Sequence, residues 1–213
     1  MTTEYDLGPA SMQVARVAAG VRDEHLGLPT PCTDWSVADL LRHLLELTTA
    51  FAATARKTPF PGDGSARPTE LPPDWREQLE RQLEALPAAW REPGAWEGEA
   101  AAGGVTMPAA VMGTVAIDEL VLHGWDLARA TGQPFESDPA SVEASLSFAA
   151  SMSVPGEEAG REGLYGPVVP VPDDASDLDR LLGYAGRDPR WARPGRWWAT
   201  SRRDLRGSWF GMR

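Results

Sequence analysis

Residues 107–131 constrain this chain more than any other segment. Met107, Ala109, Ala110, Val111, Met112, Val115, Ala116, Ile117, Leu120, Val121, Leu122, Trp125, Leu127 and Ala128 leave almost no polar face at helical spacing. A helix apolar all round has to lie inside a fold, covered on every side. Thr106 is placed to cap it, Pro108 suits its first turn, and Gly132 with Pro134 ends it. Three ionisable residues interrupt the apolar surface: Glu119, His123 and Asp126. Glu119 and His123 stand at i,i+4 and share a face. Asp126 projects within about 20° of Glu119. Buried side chains of this kind need a partner or a metal ion. On spacing alone the pair reads equally as a Glu–His hydrogen bond, and Asp126 equally as a surface pair with Arg129.

The rest of the chain supplies helices to cover that centre. Residues 8–24 carry Ala10, Val14, Val17, Ala18 and Val21 on one stripe. Ser36 and Asp39 form a capping-box signal for a helix at about 36–56, with Leu40, Leu41, Leu44, Leu45 and Phe51 facing inward. Residues 57–73, rich in Pro, Gly and Ser, read as a loop. Asp74 and Glu77 open a third helix at 74–91, where Pro87 threatens the last turn. The glycine-rich stretch 92–105 leaves room for a short hairpin pairing Trp96–Glu99 with Gly104–Thr106. Further helices are expected at 139–152, after Asp138, and at 177–186, after Ser176. Residues 154–169 are a connection or a lid over a site. No repeat or βαβ alternation is visible. The expectation is an all-α, up-and-down four-helix bundle with short extra C-terminal helices.

Charge limits the function classes. The chain has 31 acidic and 20 basic residues, net -11, which argues against a phosphate-tracking nucleic-acid binder. Residues 190–213 differ from the body: seven Arg and one acid give +6, against -17 for residues 1–189, and four tryptophans lie there. The expected organisation is therefore a helical domain, 1–189, and a basic Trp/Arg-rich tail, 190–213, that lies back on the acidic bundle. No signal peptide is visible and no apolar run approaches the ~20 residues of a membrane helix. A cytoplasmic monomer or homodimer, with no membrane and no nucleic-acid partner, is the expectation.

Few residues can carry chemistry. Cys32 is the one cysteine and reads as a small turn residue with no base beside it in sequence. His25 sits among polar neighbours and reads as a surface residue. Trp35 and Trp125 read as packing anchors. His43 lies about 100° from the centre of its helix's apolar stripe, at a helix boundary, where a half-buried histidine bonded to a backbone carbonyl is the simplest account. Together with Glu119 and His123 it suggests a His/Glu/His site on two helices, of the kind that holds zinc-like ions and leaves positions open.

Three separated segments, TPCTDWSVADLLRHL (30–44), AIDELVLHGWDLARATGQP (116–134) and YGPVVPVPDDASDLDRLLGYAGRDP (165–189), resemble the mycothiol-dependent maleylpyruvate isomerase-like family, N-terminal domain type, within the DinB-like superfamily. The resemblance implies a four-helix bundle with a divalent metal ion, zinc by its ligand set, at one end. It carries the family's metal ligands onto His43, Glu119 and His123. It implies mycothiol as the thiol partner and a small electrophile as substrate. An ion so held activates a thiol or water near neutral pH, with Asp126 orienting His123 or a bound water. The full isomerases carry a further C-terminal α/β domain, and only 190–213 follow the resembling stretch. The expectation is therefore thiol transfer or isomerase-like chemistry, with a metal-dependent hydrolase and a non-catalytic metal-binding sensor as the alternatives.

Overall fold

The structure is a computed structural model and describes residues 4–58, 70–102, 105–156, 161 and 164–193. Most of the loop expected at 57–73, and residues 194–213 of the tail, lie outside the described residues. Six α-helices and one hairpin follow in order: α1 Gly8–Ala19, α2 Val37–Ala55, α3 Trp75–Trp90, β1 Glu99–Ala102, β2 Val105–Pro108, α4 Ala109–Thr131, α5 Pro139–Ser151 and α6 Asp177–Tyr184. The first four helices form the bundle. α1 packs on α3 and α4, and α2 packs on the same two, so the order around the bundle is α1, α3, α2, α4. α5 covers α4 from outside and α6 packs on α5. The all-α four-helix bundle with extra C-terminal helices is thus the fold. Among the described residues no helix is long and apolar enough to cross a membrane.

Local signals set most boundaries. Ser36 Oγ accepts from the Asp39 N–H and Asp39 Oδ2 accepts from the Ser36 N–H, the reciprocal cap the sequence announces. Asp138 and Ser176 cap α5 and α6. Gly132 ends α4 in the left-handed region at φ 72°, where a side chain would be strained.

Three expected caps and turns fall elsewhere. Asp74 makes no cap bond; its Oδ1 accepts from Gln78 Nε2 at 2.6 Å. Pro87 does not stop α3, which runs on to Trp90. Thr106 is no cap, because 105–108 are strand β2, paired antiparallel with β1 in a register that sets Glu99 opposite Pro108. The hairpin lies later than expected because Trp96 is held in the turn before it. The Trp96 indole N–H donates to Trp90 O at 2.8 Å, and its ring packs 4.9 Å from that of Trp90. His25, expected at the surface, is 5% exposed and its Nδ1 accepts from the Arg22 N–H. The polar neighbours face water while the ring turns in.

The core bears out most of the reading of α4, although Val111 faces water and Met107 lies in β2. Ala109, Met112, Ala116, Ile117, Leu120, Val121, Leu127 and Ala128 are all buried, against Leu40, Leu41 and Leu44 of α2 and Val14 and Val17 of α1. Of the tail, Trp191 is partly buried against this core and its carbonyl accepts from Arg129 at 2.6 Å.

Candidate metal centre and its cavity

His43 comes from α2, and Glu119 and His123 come from successive turns of α4. Packing α2 on α4 puts His43 Nε2 3.3 Å from Glu119 Oε2, and His123 Nε2 lies 3.0 Å from the same oxygen. One donor atom from each residue falls within 4.8 Å of the others. The His123 side chain is 7% exposed, whereas His43 and Glu119 are 25% and 21% exposed. The three atoms therefore converge where the bundle interior meets an opening. His43 stands at the helix boundary, as its angular position implies.

Asp126 lies behind His123. Its carboxylate is fully buried, and Oδ2 takes a hydrogen bond from His123 Nδ1 at 3.1 Å. A carboxylate only accepts, so Nδ1 carries a hydrogen toward Asp126, and Nε2, which faces Glu119, is the nitrogen that would give up its proton to take an ion. The Asp126–Arg129 pair weighed above does not form; Arg129 reaches Trp191 O and the face of Trp125 instead. The second partner of Asp126 comes from 61 residues away: Arg187 Nη2 donates to Oδ2 at 3.1 Å, and Nη1 donates to Ala185 O at 2.8 Å.

These contacts set the charges. Burial opposes a charged His123, yet the bonds to Asp126 and Glu119 outweigh it and push the imidazole up to about 9. Burial would raise Glu119, but the bonds from His123 and His43 hold it well below the usual carboxylate range. Burial opposes the Arg187 charge too, and Asp126 keeps that guanidinium firmly protonated. Asp118, one residue before Glu119, is 1% exposed and accepts from the Tyr165 hydroxyl at 2.6 Å. Burial pushes its carboxyl up to about 7 against that hydrogen bond. Its Oδ1 is buried with no partner among the described residues.

A cavity of about 300 Å³ opens over the three donors, a size for a small molecule rather than a polymer. Cys32, Trp35, Tyr165, Gly166 and Arg187 are among the residues that line it. Trp35 is more than a packing anchor. Its ring meets His43 edge-on at 4.8 Å and lies nearly parallel to His123 at 5.8 Å. Trp125, by contrast, is 5% exposed and packs in the core. Leu164, Tyr165 and Gly166 of that lining belong to the segment 154–169 expected as connection or lid. Where it is described, it is held in place: Arg161 Nη2 donates to Gly166 O and Tyr184 O, and Nη1 to Ser153 Oγ.

The family model for the mycothiol maleylpyruvate isomerase N-terminal domain matches residues 7–128. The chain belongs to that family. The match contains His43, Glu119, His123 and Asp126, and it ends before Tyr165 and Arg187. Two relatives are uncharacterized proteins of Mycobacterium tuberculosis, one from strain CDC 1551 / Oshkosh and one from strain H37Rv. Each is 27% identical over 179 residues, which is 83% of this chain and 92% of the relative. Among solved structures, a histidine-to-alanine mutant of mycothiol-dependent maleylpyruvate isomerase superposes with a TM-score of 0.50 at 17% identity, over 67% of this chain and 66% of that one. That likeness is one of fold. Tyr165 and Arg187, which complete the lining of the cavity, lie beyond the residues that the family model matches. The sequence carried no local sign of either, nor of Asp118 as a buried acid.

Proposed function

We propose that this protein is a metal-dependent enzyme of thiol chemistry, in which a divalent ion held by His43, Glu119 and His123 activates a small thiol for attack on a small electrophile. The carrying observation is the convergence of two imidazole nitrogens and one carboxylate oxygen within 4.8 Å on the floor of an open cavity. Two nitrogens and one oxygen suit zinc and leave positions open. An ion so held supplies Lewis acidity that favours the deprotonated form of a thiol or water in its reach. The chain's own residues do the rest. Asp126 fixes the tautomer and tilt of His123, Arg187 fixes Asp126, and Trp35 walls the histidine pair from bulk water. Family membership makes mycothiol the thiol of choice, and transfer or isomerisation the reaction class.

Metal analysis of the purified protein should find one divalent ion per chain, lost steeply on His123→Ala. A fully loaded His43→Ala/His123→Ala double variant would overturn the ligand assignment. In the cobalt-substituted protein, added mycothiol should produce a sulfur-to-cobalt charge-transfer band. Cobalt bound with no such band would turn the reading toward a hydrolase or a sensor.

A further inference from the structure

The seam between α1 and α3 is left open to the outside. Along it run two hollows of about 370 and 270 Å³, joined at Ala15, Glu80 and Leu83, which line both. Small residues leave the space: α1 presents Ala15, Ala18 and Ala19 to the second hollow. The lining contains none of His43, Glu119 and His123, so this groove is separate from the metal centre. Its floor is apolar, with Trp75 and Leu83 buried, and Met12 at its edge is 68% exposed, the most exposed large hydrophobic side chain among the described residues. Its rim is acidic. Asp6 is paired with Arg91, whereas Glu80 and Glu84 have no ion-pair partner among the described residues. They stand at i,i+4 on α3, where like charges repel, so a cation between them would relieve the helix.

The described chain stops near one end of this groove. Trp191 packs on the core and its carbonyl is held by Arg129. Two residues on, Arg193 is close enough to His25 to count, after burial and Arg22, among the groups that lower its imidazole. His25 ends the tight turn Asp23–His25. Arg76 of α3 grips the start of that turn, donating to Val21 O at 3.1 Å and to Asp23 Oδ1 at 2.8 Å, and Arg76 itself lines the nearer hollow. The residues that follow have the complementary chemistry. Residues 194–213 hold five Arg against Asp204, a side-chain charge of +4, interleaved with Trp197, Trp198, Trp209 and Phe210. Extended, these 20 residues reach about 66 Å, whereas α3, with 16 residues, is about 24 Å long.

We propose that the groove between α1 and α3 is the docking site of this chain's own tail, residues 194–213, with tail arginines on Glu80 and Glu84 and tail indoles over Met12, Ala15 and Leu83. Both kinds of contact are needed. Exposed ion pairs alone contribute little, while indole rings and arginine stems supply the apolar area that holds the segment down. The docking does not depend on the metal function proposed above.

The test uses the full-length protein and needs no metal. A photoreactive benzoylphenylalanine in place of Met12 should, on irradiation, join to a peptide from 194–213 of the same chain, at monomer mass. The same probe in place of Glu143, exposed on α5, should not. No tail peptide at Met12, or equal yields at the two positions, would overturn the proposal. Tail peptides joined only between two chains would also overturn it and give the groove to a second copy. Glu80→Gln/Glu84→Gln changes two exposed side chains and should speed tryptic cleavage within the tail several-fold, with the helical circular dichroism unchanged. Glu136→Gln/Glu143→Gln, equally exposed, should leave the cleavage rate as it is. An unchanged rate in the first variant, or the same acceleration in both, would sink the assignment.

Discussion

Between Ala109 and Ile117, α4 buries Ala109, Met112, Gly113, Ala116 and Ile117, none of them ionisable. Between Asp118 and Thr131 the same helix buries Asp118, His123 and Asp126 among Leu120, Val121, Leu127 and Ala128. The first half is held by shape. A Cβ added at Gly113 would meet Trp96 at 2.4 Å and Trp90 at 2.9 Å, so the helix and the two indoles fit only with a glycine between them. The second half is held by pairing. Three acids reach partners on other elements, Asp118 on Tyr165, Glu119 on His43 and Asp126 on Arg187, and His123 pairs within the helix with Glu119 and Asp126. One helix thus shows two ways of being central. Apolar surface tolerates any neighbour of the right volume, whereas a buried charge demands a specific one.

The difference can be broken most forcefully at Asp126. Asp126→Ala leaves Arg187 buried without its anion and His123 without its orienting acceptor. A loss of about 3–5 kcal/mol is expected, the usual result of removing one member of a buried pair, together with a fall in zinc affinity. Urea unfolding and zinc titration measure both; a loss under about 1 kcal/mol would mean that the pair does not hold this half together.

Removal of the ion comes next. Zinc at a hundredfold excess over its dissociation constant should stabilise the native state by about 2.7 kcal/mol. A chelator should therefore lower the melting temperature and leave the helical circular dichroism in place, because the apolar half needs no metal. Unfolding on chelation would show that pairing, not shape, sustains the whole helix.

In the apolar half the effects should be smaller and silent at the metal. Gly113→Ala should destabilise by about 1–3 kcal/mol through overpacking against Trp96, with zinc affinity unchanged. A weakened metal site in this variant would mean that the two halves are mechanically coupled. Ile117→Val, at the border between them, should cost only about 0.5–1.5 kcal/mol, visible as a shift of a few degrees in melting temperature, again with no change at zinc.

What the sequence made legible follows the same division. The stripes of α1 to α4, the Ser36–Asp39 cap and the Gly132 stop are local patterns, and they hold. The helical spacing of Glu119 and His123 and the edge position of His43 are local too, and the fold brings the three together. Asp118 and Asp126 depend on residues 47 and 61 positions away. No periodicity could have named Tyr165 or Arg187. Cys32 looked unremarkable for the same reason, since His123 approaches it only through the packing of α2 on α4. Trp96 misled the hairpin reading because its place is set by Trp90 and Gly113, not by its neighbours in the chain.

Asp118 and Asp126 act on the C-terminal segment as a pair of sockets, with Tyr165 and Arg187 as the plugs. The family match stops at residue 128, so both sockets lie inside it and both plugs after it. A fragment cut at that boundary would keep all three candidate ligands and lose Tyr165, Gly166 and Arg187 from the cavity lining. It would also expose two carboxylates that the intact fold keeps dry. The donors and the residues that close the cavity around them are thus held by different stretches of chain, coupled through two buried carboxylates.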